Sequence, residues 1–305
     1  MIRFQGKVKK ALALGLSLVM ITGAMGGCGQ PQNEKVKTVK LGYVNWAEGI
    51  AMTNLAAAVL QDDMGYRVET AMVDVAPLFT SLVAGNTDAF MDVWLPVTHE
   101  DYMNKYGDQL EDLGVNYENA MIGLTVPAYV PINSVEELKD NKEMFNGEIV
   151  GIDSGAVVMR ETERLISEYD LDYKLLSGSG PTMTAALKKA IDAKEPIVVL
   201  GWKPHWKFSR WDLKVLEDPK NIYGTSENIH TMARKGFSND MPDVAAFLTN
   251  FKLDEQQLGS LMDAIENGSD PLEAARKWSK DNAELVKSWL PNAEIENTKK
   301  TEDKP

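Results

Sequence analysis

Cysteine occurs once in this chain of 305 residues, at position 28, and histidine three times, at 99, 205 and 230. A lone thiol excludes any disulfide within the chain. Three scattered imidazoles with no second cysteine are poor material for a zinc site. Cations are outnumbered, 32 Lys and Arg against 45 Asp and Glu, so the chain lacks the clustered positive charge that grips nucleic acid, and no nucleic-acid partner is expected. There is no Gly-x-Ser-x-Gly elbow for a hydrolase nucleophile, and "THED" at 98–101 fails as His-Glu-x-x-His because Met103 stands where the second His belongs. "SGSGP" at 177–181 has no Gly-Lys-Ser/Thr continuation and is not a phosphate-cradling loop. The reading is therefore of a protein that is not an enzyme and uses no cofactor, with an exported hydrolase as the remote alternative.

Long apolar runs are also missing. The longest candidate, "ALALGLSLVM" at 11–20, is short for a membrane span, but it follows the basic start "MIRFQGKVKK" and precedes the small-residue stretch "GAMGGC". This is the layout of an export signal. Cys28 at its end resembles the lipobox cysteine of bacterial lipoproteins, which implies lipidation of that thiol and a membrane-anchored, extracytoplasmic protein. Residues 1–27 are then signal peptide, 28–37 a lipidated tether, and 293–305 a disordered tail. Removing Arg3, Lys7, Lys9 and Lys10 with the signal takes the formal charge from −13 to −17, which speaks to solubility rather than to ligand.

The remaining composition, 44% hydrophobic and 25% charged, is ordinary globular usage. Strand-like and helix-like segments alternate. "TVKLGYVNW", "YRVETAMVD" and "TDAFMDVW" read as strands, separated by helical "GIAMTNLAAAVLQDDMG" and "APLFTSLVAG". The second half repeats the order with "GEIVGIDSG", "AVVMRETERLISEYD", "YKLLSGSG", "PTMTAALKKAIDAK" and "EPIVVLGW". Trp46 to Trp94 is 48 positions, and Ser154 to Trp202 is 48 again. Each half then has a further strand about 30 residues on, "IGLTVPAY" and "NIHTMARKGF". A duplicated α/β unit predicts two lobes, each with a mainly parallel sheet flanked by helices. Residues 38–122 and 236–292 are assigned to lobe I and 123–235 to lobe II, with hinge crossings near 120–126 and 228–235.

Three predicted strands end in tryptophan: Trp46, Trp94 and Trp202. The last two open "WLPVTH" and "WKPH", where a proline without an N–H ends sheet pairing and leaves the indole at the strand's carboxyl end. Ligands of open α/β sheets bind at such ends. An indole face carries negative potential and attracts cations. Three converging indoles suit a quaternary ammonium, which has no N–H to offer a carboxylate. Trp278 and Trp289 fall at helical spacing and read as packing residues, Trp206 and Trp211 as packing behind the second rim, and His205 and His230 as structural. "SGAVVM" follows a strand and opens a helix, so its first N–H groups and the helix dipole favour an anion.

"YVNWAEGIA", "VWLPVTHEDY", "GIDSGAVVM", "SGSGPTMTAALKKAI", "EPIVVLGWKPHW" and "NIHTMARKGF" together resemble the extracellular glycine betaine binding proteins of ABC importers, over about residues 38–290. The resemblance implies a type II periplasmic-binding-protein fold, a trimethylammonium group held in a prism of Trp46, Trp94 and Trp202, and a carboxylate bound by His99 and by the backbone N–H groups of Val157 and Val158. Val157-Val158 stands where relatives commonly carry Gly-Ile; the donors remain, while β-branched side chains narrow the approach glycine would allow. The protonation state of His99 is open. A monomer that captures glycine betaine between closing lobes and docks on an ABC permease is the implied partner set. Proline betaine, carnitine, choline or a sulfonium analogue is the alternative ligand.

Overall fold

The computed structural model describes residues 37–291. The expected signal peptide, the Cys28 lipidation site, all but the last residue of the tether, and the tail lie outside them.

The first repeat folds as β1 (Thr38–Tyr43), α1 (Ala47–Asp62), β2 (Arg67–Met72), α2 (Val75–Val83) and β3 (Ala89–Leu95). Strands β2, β1 and β3 lie side by side and parallel. β3, "AFMDVWL", is buried along almost its whole length, as expected of a strand covered on both faces. Helix α1 is apolar nearly all round and buried from Ala51 to Leu60, because the sheet covers one side of it and two C-terminal helices the other. After α3 (Glu100–Tyr106) comes β4 (Leu110–Pro127), a strand of 18 residues.

The second repeat gives β5 (Glu148–Val150), α4 (Val157–Glu168), β6 (Lys174–Leu176), α5 (Gly180–Ala193) and β7 (Val199–Lys203). β6, β5 and β7 are again parallel and in the same relative order. Ser179 caps α5 through a capping box with Thr182, and Pro181 sits in the first turn where no N–H is needed. A short α6 (Lys207–Arg210), β8 (Leu213–Val215) and β9 (Glu227–Arg234) follow. Helices α7 (Phe237–Asp240), α8 (Pro242–Asn250), α9 (Glu255–Glu266), α10 (Pro271–Asp281) and α11 (Ala283–Trp289) complete the chain, with α9 and α10 packed on α1. Among the described residues no helix is long and apolar enough to cross a membrane.

The strands after each Trp-x-Pro element exchange partners. β4, which follows the first repeat, pairs antiparallel with β7 of the second from Met121 to Thr125. β9, which follows the second, pairs antiparallel with β3 of the first. The full order is β2-β1-β3-β9-β4-β7-β5-β6, with β8 on β4. β4 is the bridge: up to Ala120 it pairs with β9, and from Met121 with β7. Its crossing is marked by a left-handed residue, Asn119 at φ 62°, beside register shifts. β9 lies between β3 and β4, so residues 228–234 pair within the first sheet. Each sheet keeps its parallel strands and adds one antiparallel strand supplied from the other half.

Where β4 and β7 meet, Gly201 faces Gly123. A Cβ on Gly201 would stand 2.7 Å from Thr125 Cβ and closer still to its hydroxyl. Gly201→Ala is expected to lower stability by about 1–3 kcal/mol through overpacking, read as a lower urea midpoint at unchanged slope; an unaltered midpoint would contradict this close approach.

Candidate functional site

The three rim tryptophans come together. Trp46 is the N-cap residue of α1, three positions beyond the end of β1, while Trp94 and Trp202 lie within the last residues of β3 and β7. Each is at most 6% exposed. They line one narrow cavity of about 30 Å³, together with Glu48, Thr98, Ile122, Ile152 and Val158. The walls come from both lobes: Trp46, Glu48, Trp94 and Thr98 from the first, Ile122, Ile152, Val158 and Trp202 from the second.

Every cage indole donates its N–H to a carboxylate. Trp94 Nε1 donates to Asp92 Oδ1 at 2.7 Å, Trp46 Nε1 to Asp153 Oδ2 at 3.2 Å, and Trp202 Nε1 to Glu48 Oε2 at 2.8 Å. The first bond is local, between residues i and i+2 on one face of β3. The other two join residues 107 and 154 positions apart and cross between the lobes. Asp92 is fully buried against the start of α1, where only glycine fits at position 49: a Cβ there would stand 2.7 Å from Asp92 Oδ2.

Burial pushes Glu48 up to about 7, opposed by the Trp202 N–H, its own backbone N–H and Lys207. Asp92 is also held well above the usual carboxylate range, first by burial and then by the nearby Glu48 charge. Two carboxyls in one dry pocket resist a second negative charge. Lys207 is fully buried, with Nζ 4.0 Å from the centre of the Trp202 ring and no hydrogen-bond partner among the described residues. Burial lowers its pKa strongly, and the Glu48 charge works against that shift.

His99 and Trp94 bind each other reciprocally. His99 N–H donates to Trp94 O at 3.0 Å, and Trp94 N–H donates to His99 Nδ1 at 2.8 Å. A ring nitrogen that accepts carries no proton, so the neutral ring bears its hydrogen on Nε2. Burial depresses the pKa to about 3, which closes the protonation question in favour of the neutral form. The ring stacks behind Trp46 at 6.1 Å between centres, is packed by Phe79, Phe90 and Tyr102, and does not line the cavity.

Val157 and Val158 are the first two residues of α4, after an N-cap alanine that makes no side-chain capping bond. Their N–H groups lack intrahelical partners by position. Val158 lines the cavity; Val157 is half-buried and does not.

The other tryptophans pack. Trp206 meets Trp211 edge-on at 5.4 Å, Trp278 donates to Ser260 Oγ at 2.9 Å, and Trp289 lies against Phe251 at 4.7 Å. His205 packs edge-on against Trp202 at 4.9 Å, and His230 Nδ1 lies 3.0 Å from Asp112. A larger cavity of about 400 Å³ lies beyond Trp202, between α1 and α9 on one side and α5 and α6 on the other. It has one cage indole rather than three. Sequence reasoning missed Glu48, Asp92, Asp153 and Lys207. Only Asp92 carried a readable signal, as the one charged residue inside the apolar run "AFMDVWL".

Fold and site together define a two-lobed binding protein of the type II periplasmic class, with an aromatic cage at the meeting of the lobes. The chain belongs to the family described as the substrate binding domain of ABC-type glycine betaine transport systems, whose model matches residues 37–281. A glycine betaine/carnitine transport binding protein, GbuC of Listeria monocytogenes, is 45% identical over 159 residues. That match covers 51% of this chain and 53% of the relative, so it spans about half of each. A crystal structure of lactococcal OpuAC, closed and complexed with glycine betaine, is similar with a TM-score of 0.79 and 38% identity, covering 83% of this chain and 99% of that one. A choline binding protein of an ABC transporter, in complex with choline, has a TM-score of 0.76 and 28% identity over 83% of this chain and 92% of that one.

The depressed His99 gives a pH prediction. Its folded pKa, about 3, lies below the unfolded value near 6.5. The unfolded chain therefore binds more protons between these values, and the stability from burying a neutral ring is present above pH 6.5 and lost as pH falls toward 3. The unfolding free-energy difference between the parent and His99→Asn should shrink as pH is lowered from 7 to 4. A difference constant over that range would contradict a buried neutral His99.

Proposed function

We propose that this chain is the extracytoplasmic substrate-binding component of an ABC importer for glycine betaine. The observation that carries the reading is the convergence of Trp46, Trp94 and Trp202, from both lobes, on one cavity. A trimethylammonium group has no donor to satisfy a polar wall, yet each aromatic face attracts it by roughly 0.5–1 kcal/mol when exposed and about 2 kcal/mol or more when dry. Three dry faces supply most of the roughly 8 kcal/mol that micromolar binding requires.

The carboxylate end of the ligand is assigned to the N–H groups of Val157 and Val158 at the start of α4, with His99 Nε2–H as the third donor. Helix starts favour anions through their free N–H groups and dipole. Valine at 157 leaves those donors in place. Capture closes the lobes about the crossings, at Ala120–Met121 in β4 and between Tyr223 and Glu227. A ligand touching both lobes favours the closed form by its differential affinity. The closed protein, a monomer, then docks on the membrane permease of the importer. Lipidation at Cys28 would hold it at the membrane surface within reach of that partner.

A second reading is favoured by the relatives, since one is named for glycine betaine and carnitine and another was crystallised with choline. All share a methylated ammonium head, and the cage recognises the head. Titration of intrinsic fluorescence with glycine betaine, proline betaine, carnitine and choline ranks them, and the ligand should be recovered unchanged. Glycine betaine is expected to bind tightest; tighter binding of choline or carnitine favours the second reading. Trp94→Ala should weaken binding by well over about tenfold, more than 1.4 kcal/mol, with Trp278→Ala affecting mainly stability. Equal affinity in Trp94→Ala and the parent would count against the cage.

A further inference from the structure

An indole in a cage must be held in its plane, or its face turns away from the cation. In this cage the ring orientation is fixed by three hydrogen bonds to carboxylates, and two of these run across the cleft in opposite senses. Trp46, at the start of α1 in the first lobe, reaches Asp153, which precedes α4 in the second, at 3.2 Å. Trp202, at the end of β7 in the second lobe, reaches Glu48, in the first turn of α1, at 2.8 Å. Trp94 alone is held from within its own strand, by Asp92 at 2.7 Å. When the lobes part, Trp46 and Trp202 each lose the acceptor that fixes them.

Resting on the proposed function, we infer that Glu48 and Asp153 are positioning residues that latch the two lobes through the cage itself, so that two of its three walls are set only on closure. The arrangement makes cage assembly and lobe closure one event. It also polarises the rings toward the ligand, because an N–H donating to a carboxylate leaves the π system richer in electron density. The environment of Glu48 suits the task. Its carboxylate lines the cavity and is 1% exposed, and Lys207 from the second lobe lies over the same Trp202 ring. Asp153 has one oxygen on Trp46 and the other buried without a partner among the described residues.

Double-mutant cycles on glycine betaine affinity separate a latch from a merely structural role. Glu48→Ala should weaken binding about tenfold with Trp202 present and much less in Trp202→Phe, which keeps an aromatic face but has no N–H; such non-additivity marks a direct interaction. Glu48→Gln keeps an acceptor oxygen and should retain most of the affinity. Asp153→Ala with Trp46→Phe forms an independent cycle at a less buried carboxylate, should Glu48→Ala fail to fold. Additive effects in the cycles, or Asp153→Ala binding as tightly as the parent, would overturn the inference.

Failure of the parent to bind any of the quaternary ammonium compounds would instead sink the proposed function. A second reading of the latch is hydrogen exchange of the indole N–H groups in nitrogen-15 spectra of the protein saturated with glycine betaine. Asp153→Ala should speed exchange at Trp46 alone, and Glu48→Ala at Trp202 alone. Unchanged exchange in both liganded variants would refute the latch.

Discussion

A quaternary ammonium can be held only by charge and by surfaces that carry partial negative potential, because it has no hydrogen to donate. Aromatic faces meet that need best when water is kept out. The dry cage therefore has to be built and closed around the ligand, and no single open sheet can do this. Two lobes can. Trp46 and Trp94 stand at the rim of one sheet and Trp202 at the rim of the other, so that bringing the rims together forms the three walls.

That requirement shapes the groups behind the cage. Burying Glu48, Asp92, Lys207 and His99 is costly unless each finds a partner or loses its charge. The molecule uses both routes. His99 is neutral and tied to the Trp94 backbone through Nδ1. The two carboxyls take indole N–H groups and are raised above the usual carboxylate range by burial, Asp92 further by the Glu48 charge. Lys207 lies on the Trp202 ring, its pKa strongly lowered by burial against the opposing field of Glu48, so the protein itself sets an amine against one cage indole. The polar atoms that fix the rings thus also shape the electrostatics the ligand meets.

Much of this was legible in the sequence, because it is periodic or local. The 48-residue spacing, repeated in both halves, located equivalent strand ends, and the proline after each of Trp94 and Trp202 marked where pairing stops. The alternation of strands and helices gave the layer arrangement. The exchange of β4 and β9 between the sheets was not legible, since a strand's sequence says that it will pair but not with whom. Glu48 and Asp153 escaped notice for the same reason: their partners are 154 and 107 residues away. His99 illustrates a middle case. Its spacing from Trp94 was visible, but its neutral state depends on Phe79, Phe90 and Trp46 closing around it.

The most direct test of the account is a crystal structure of the protein with glycine betaine. The account predicts the ligand nitrogen within about 6 Å of the ring centres of Trp46, Trp94 and Trp202 together, with the carboxylate at the start of α4. A ligand lodged elsewhere, such as in the larger cavity beyond Trp202, or touching only one of the three indoles, would contradict it.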